Sequence, residues 1–186
     1  MGGIRTGYWP LTPATAPRET VRMFALSREA AVVTVLGSLL VGPGAIPVKL
    51  HGTRPAGPAG YADLHNTSSR ELDLSGWTVQ SCAGRQITDL AVLPDSTRLE
   101  PGAHYVIAGL DFGGTADLYV GEVAGDGYRL LAADGSVVDR VAVSPQSPCR
   151  EAEHAPDCGG WALSRDATST DTDNNRRDFA CALPLG

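Results

Sequence analysis

Residues Tyr61 to Val79 read "YADLHNTSSRELDLSGWTV", and two short patterns within them decide the fold. In the first, Tyr61, Asp63 and His65 alternate with Ala62 and Leu64, the period of a strand whose two faces meet different surroundings. In the second, "LDLSGW", Leu72, Leu74 and Trp77 surround Asp73, Ser75 and Gly76. Asp and Ser hold turns through short acceptor side chains, and glycine permits backbone angles that strain other residues. This block predicts a sharp turn between strands, with Leu72, Leu74 and Trp77 facing a core.

The same texture runs on from there. "GWTVQSC", "HYVIAGL", "ADLYV", "YRLLAADG" and "SVVDRVAV" are short runs rich in β-branched and aromatic residues, separated by turn residues, and each predicts a strand. Asp134-Gly135 predicts a hairpin closed by a tight primed turn, and Pro101-Gly102 a turn entering the strand that follows. No segment sustains a period of 3.6 and no repeat is present. Short strands at turn spacing predict an all-β sandwich or barrel over residues 46–186.

Charge narrows the function classes. Residues 1–45 carry four Arg against two Glu, whereas residues 46–186 carry eleven Lys+Arg against nineteen Asp+Glu, a net charge of -8. Lys49 is the one lysine, and the arginines are scattered. Affinity for a phosphate backbone needs clustered cations that displace counterions, so direct binding of nucleic acid is disfavoured.

The segment "AAVVTVLGSLLVGPGA", Ala30 to Ala45, is uncharged and follows Arg22, Arg28 and Glu29. It has the length of a signal-peptide core and falls short of the roughly 20 residues that span a bilayer. Residues 1–45 are therefore expected to be a signal-like or anchor-like extension outside the fold, with Met23 as an alternative start. Export would place the folded part at the cell surface or outside, with no membrane span in the mature domain; without it the chain would be cytoplasmic.

Four blocks, "YADLHNTSSRELDLSGWTV", "LEPGAHYVIAG", "LLAADGSVVDRVAV" and "ALSRDATSTDTDNNRRDFACALPLG", together resemble the lamin-tail domain family, above all its bacterial members. "DLSGW" and the closing "DTDNNRRDF" are the most specific pieces, and the resemblance extends over residues 46–186. It implies an immunoglobulin-like β-sandwich opened by the strand "IPVKLH", with Asp73, Leu74, Gly76, Trp77 and Phe179 as its structural positions. It also implies a non-catalytic module of the kind that accompanies secreted enzymes or surface proteins. His65 stands where Tyr is frequent in the family, and "CREAEHAPDC", Cys149 to Cys158, is an insertion.

No G-x-S-x-G, H-E-x-x-H, P-loop or G-x-G-x-x-G pattern occurs, so the familiar nucleophilic, zinc-hydrolytic and nucleotide sites have no motif here. His51, His65, His104 and His154 are far apart in sequence, and none has a second His at ligand spacing. His154, flanked by Glu151, Glu153 and Asp157, is read as part of an exposed acidic loop rather than a zinc site. Asn66-Thr67-Ser68 is a formal glycosylation sequon, read as turn residues at a strand end.

Cys82, Cys149, Cys158 and Cys181 form no C-x-x-C and favour disulfides in an exported chain. The simplest pairing joins Cys149 to Cys158 and Cys82 to Cys181; Cys82 to Cys149 with Cys158 to Cys181 is the alternative.

"DTDNNRRDF", Asp171 to Phe179, begins like an EF-hand with Asp171, Asp173 and Asn175 at positions one, three and five. Arg176 then replaces the glycine of position six and Ala182 the glutamate of position twelve, which excludes that motif. Two readings remain: an irregular calcium loop made by Asp171, Asp173, Asn175 and Asp178, or a structural turn whose Asp and Asn side chains cap backbone N–H groups and deliver Phe179 to the core. The functional expectation is a non-catalytic extracellular or cell-surface module with a protein or cell-envelope partner and no required cofactor. The alternatives are an accessory subunit of a secreted enzyme or a small calcium-dependent hydrolase. A glycan-binding module would need exposed aromatics, for which Trp161 and Tyr128 are the candidates.

Overall fold

A computed structural model describes residues 46–186; the signal or anchor reading of residues 1–45 falls outside them. In chain order the elements are β1 (Val48–Arg54), β2 (Tyr61–Asn66), β3 (Leu72–Asp73), β4 (Thr78–Ala83), β5 (Gln86–Val92), β6 (Arg98–Leu99), β7 (His104–Gly109), β8 (Leu118–Val120), β9 (Gly127–Leu131), β10 (Val137–Ala142), β11 (Ala162–Ser164), the one-turn helix α1 (Asn175–Asp178) and β12 (Ala180–Ala182). They form a six-stranded sheet ordered β12-β11-β1-β2-β7-β8, a four-stranded sheet ordered β10-β9-β4-β5, and a two-stranded ribbon of β3 with β6. Neighbours run antiparallel except β7 and β8. The architecture is the expected immunoglobulin-like β-sandwich.

Alternation explains the core. Val48 and Leu50 of β1 and Ala62 and Leu64 of β2 pack against Val79, Tyr128, Leu130 and Val141 of the facing sheet, all essentially inaccessible. Leu74, Trp77 and Phe179 join them, as the sequence predicts, while Leu72 is only half-buried at the edge of this cluster. Gly76 turns the chain at φ +71°, and Asp73 holds the turn by accepting from the Ser75 N–H at 3.0 Å.

β2 is buried on both faces. Its outward row, Tyr61, Asp63 and His65, is covered because the chain returns across it: the Leu185 N–H donates to the Tyr61 hydroxyl and Ser169 sits against His65.

Asn66 ends β2 as a fully buried corner post. Its amide donates to the Arg70, Leu99 and Glu100 carbonyls and its oxygen accepts from Ser68, so in the folded protein the sequon serves the turn. Asn66→Ala strands the buried Leu99 carbonyl and removes the partner of two part-buried carbonyls and the Ser68 N–H, and is expected to cost about 2 kcal/mol in a urea melt.

Three local readings are corrected. The β9–β10 hairpin forms, but Gly135 alone takes a positive φ, +81°, and Asp134 instead accepts from the Ser136 N–H; the five-residue connection is too long for the two-residue primed turn. The strand β5, "QITDLAV", has no counterpart in the sequence reading, because as the exposed edge of its sheet it mixes Gln86, Thr88 and Asp89 with the apolar residues.

The third correction concerns the disulfides. Cys82 of β4 joins Cys149, and Cys158 joins Cys181 of β12. The simpler pairing does not form: Cys149 is buried beside Cys82 in the four-stranded sheet, whereas Cys158 lies against β12. The loop between Cys149 and Cys158 is therefore not closed on itself.

Candidate functional site

Of the four residues read as a calcium loop, Asp171, Asn175 and Asp178 are engaged by protein groups. Asp171 lies 2.5 Å from Lys49 and 3.4 Å from Arg165. Asp178 accepts from the Thr172 hydroxyl and N–H and lies 3.1 Å from Arg165. Asn175 is fully buried: its oxygen accepts from the Ala142 and Glu151 N–H groups, and its amide donates to the Arg140 carbonyl and to Glu151. Asp173 is exposed at φ +55°. The stretch makes α1, capped by the Asn174 side chain accepting from Arg176, and it delivers Phe179 into the core.

The cation at the centre of this region is Arg165, whose side chain has no exposed surface. Its guanidinium donates to Asp139 at 2.9 Å, to the Leu50 carbonyl at 3.1 Å and to the Thr170 carbonyl at 2.7 Å, and it stacks on Phe179 at 4.4 Å. Asp139 in turn accepts from the Leu50 and Arg140 N–H groups. Burial pushes Asp139 up to about 6 against the pull of Arg165 and Lys49, so it is charged at neutral pH. Arg176 and Arg177 are exposed to solvent.

Glu151, 3.9 Å from Arg165, is pushed up to about 8 by burial and by Asp139, Asp171 and Asp173, with Arg165 opposing. A carboxyl raised in the folded state holds a proton there that the unfolded chain has released, so stability falls as pH rises from the ordinary value near 4.5 to about 8. Glu151→Gln removes this linkage and keeps an acceptor for Asn175. After discounting for remaining solvent contact, melts at pH 5 and pH 8.5 are expected to show the variant gaining on wild type by about 1–2 kcal/mol at the higher pH.

A second site emerges on the outer face of the six-stranded sheet. His65 of β2 and His104 of β7 are directly opposed in the pairing, and their rings stack 4.4 Å apart at 4°. His51 joins them because β1 carries a bulge: the register against β2 shifts between Leu50 and Gly52, and the extra residue turns its ring to within 4.9 Å of His104 and 5.6 Å of His65. A bulge re-aims one side chain in this way without disturbing the rest of its strand. Asp63, two residues before His65 and so on the same face, places both carboxylate oxygens 3.0 Å from His104 Nδ1.

Ser169 orients the cluster. Its hydroxyl lies 2.8 Å from Nδ1 of both His51 and His65, and it is buried at φ +52°, a backbone position uncommon outside glycine, Asn and Asp. Burial, then the neighbouring histidines, push His51 down to about 4 and lower His65. Burial also lifts Asp63 to about 6, with His104 opposing. At neutral pH the site thus holds neutral His51 and His65 beside a charged Asp63.

The cluster borders a cleft of about 330 Å³ walled by Gly52, Tyr61, Val106, Ser164 and the C-terminal residues Ala182, Leu183 and Leu185. The sequence reading missed this grouping, since His51, His65 and His104 lie on three strands that pair only in the fold. The one legible signal is the parity that sets Asp63 and His65 on a common face.

His154, by contrast, turns Nδ1 to the Ala155 carbonyl. Of the two glycan-binding candidates, Tyr128 is buried in the core and Trp161 is 55% exposed.

Comparison with known proteins fits this architecture. No curated protein matches the chain. The family model of the Lamin Tail Domain matches residues 50–145, from β1 through β10, including His51, Asp63, His65 and His104. The match stops before Arg165, Ser169 and the strands β11 and β12 that extend the larger sheet beside β1. It spans just over half of the 186 residues, and the chain belongs to the lamin tail domain family.

Proposed function

We propose that the chain is a non-catalytic interaction module of the lamin-tail type that works outside the cytoplasm, secreted or held at the cell surface, and binds a protein or cell-envelope partner. The observation that carries this reading is the pair of disulfides, Cys82–Cys149 and Cys158–Cys181, which leave no free cysteine. Such bonds persist in oxidising compartments and are rare in cytosolic proteins. The family supports a non-enzymatic role, and the acidic charge of residues 46–186 supports a partner other than nucleic acid. No helix among the described residues is long and apolar enough to cross a membrane, so surface retention would rely on the N-terminal segment or on the partner.

The alternative of a calcium-dependent hydrolase draws less support, since Asp171, Asn175 and Asp178 are committed to Lys49, Arg165 and backbone groups. Fractionation of cells expressing the tagged full chain tests the proposal. The expected result is protein in the medium or accessible to protease on intact cells, with all four cysteines blocked to alkylation. Cytoplasmic protein with four reactive thiols would overturn it.

A further inference from the structure

Among the described residues, two groups of His and carboxylate side chains bring ligand atoms within 4.8 Å of one another: Asp139, Glu151 and Asp171, and His51, Asp63 and His104. The first already encloses a cation, the Arg165 guanidinium, at 2.9, 3.9 and 3.4 Å from the three acids. The second encloses none. Lys49, the nearest lysine along β1, is drawn away by Asp171.

We propose that His51, Asp63 and His104 form a binding site for a borderline divalent metal ion of the zinc class. Two imidazoles and one carboxylate are a donor set for Zn2+ and its first-row neighbours. Calcium takes oxygen ligands and is a poor match. Donors of a tetrahedral ion bound at about 2.0–2.1 Å lie roughly 3.3 Å apart. The 3.0 Å separation of His104 Nδ1 from the Asp63 oxygens is close to that, and the His51 ligand atom, within 4.8 Å of the other two, moves inward to complete the set.

Three features of the fold prepare the site. The β1 bulge aims His51 inward. Ser169 occupies Nδ1 of His51 at 2.8 Å, which leaves Nε2, with only the Ser164 hydroxyl at 3.4 Å, as its ligand atom; a fixed hydrogen bond at the far ring nitrogen is how metal-bound histidines are oriented. Gly52 keeps the floor of the cleft clear, since a Cβ there would lie 4.0 Å from the Asp63 Cβ and 3.3 Å from the Leu163 carbonyl. Three protein ligands leave a fourth coordination position facing the cleft, where a partner's carboxylate or imidazole could complete the sphere. This site stands independently of the compartment proposed above.

The test uses the full chain, oxidised and freed of any affinity tag, titrated with Zn2+ and, in parallel, with Co2+ as a visible-absorbing substitute. One equivalent is expected to bind, with a rise in melting temperature of about 5 °C at a hundredfold excess over Kd. Tetrahedral Co2+ absorption should appear, and Ca2+ should give no shift. Asp63→Asn, which preserves shape, and His104→Ala, at a half-exposed position, are each expected to weaken Zn2+ at least about tenfold while their metal-free melts report folding; one folded variant suffices. Absence of Zn2+ and Co2+ binding by the wild-type protein would overturn the proposal, as would undiminished binding in a folded variant.

Discussion

Replacing Arg165 by Met is expected to destabilise the protein by about 3–5 kcal/mol, read as a fall in the urea midpoint at unchanged slope. The expectation rests on what the substitution leaves behind. Asp139 and Asp178, with 0% and 1% side-chain exposure, would each lose the guanidinium that faces them, and the Leu50 and Thr170 carbonyls would lose a donor. Methionine fills the volume over Phe179, so the loss reports electrostatics more than a cavity. Breaking one side of a buried pair costs far more than the pair contributes, because the orphaned charge stays desolvated. Arg98 supplies the comparison: its pairs with Glu71 and Asp73 are about half exposed, and Arg98→Ala is expected to cost less than about 1 kcal/mol. Adding Asp139→Asn to Arg165→Met should recover part of the loss.

Removing Cys82–Cys149 as the Cys82→Ala/Cys149→Ala pair is expected to cost about 4 kcal/mol. The bond closes a loop across 67 residues, and in the chain-entropy model its absence frees the unfolded chain by about that amount. Alanine is the substitute because both positions are fully buried beside Ala142, where a serine hydroxyl would need a partner. The Cys158–Cys181 bond spans 23 residues and should be worth about 3 kcal/mol. A larger effect for the first bond than for the second, in thermal melts of the two double variants, is therefore the expected order.

How far the sequence foretold this molecule depends on how local each feature is. The alternation of Tyr61 to His65, the Asp73–Ser75–Gly76 turn and the Pro101-Gly102 turn are set by neighbouring residues, and all were legible. Phe179 as an anchor was legible for the same reason, since α1 and its cap are written in adjacent residues. The disulfide partners were not, because chain separation does not reveal that Cys149 lies beside β4 while Cys158 lies beside β12. β5 escaped because an edge strand exposes both faces in places and loses its alternation. The histidine cluster was hidden most deeply: it depends on the pairing of three strands and on a bulge at His51 that no residue type announces. Two acids of "DTDNNRRDF", Asp171 and Asp178, do face cations, but these are Lys49 and Arg165, the latter just six residues before Asp171 in sequence.

The proposed export of a lamin-tail sandwich fastened by two disulfides is open to non-reducing peptide mapping of the full chain recovered from the cells that make it. Two linked peptide pairs are expected, one containing Cys82 with Cys149 and the other Cys158 with Cys181. Four free thiols, or a Cys149–Cys158 link, would contradict it.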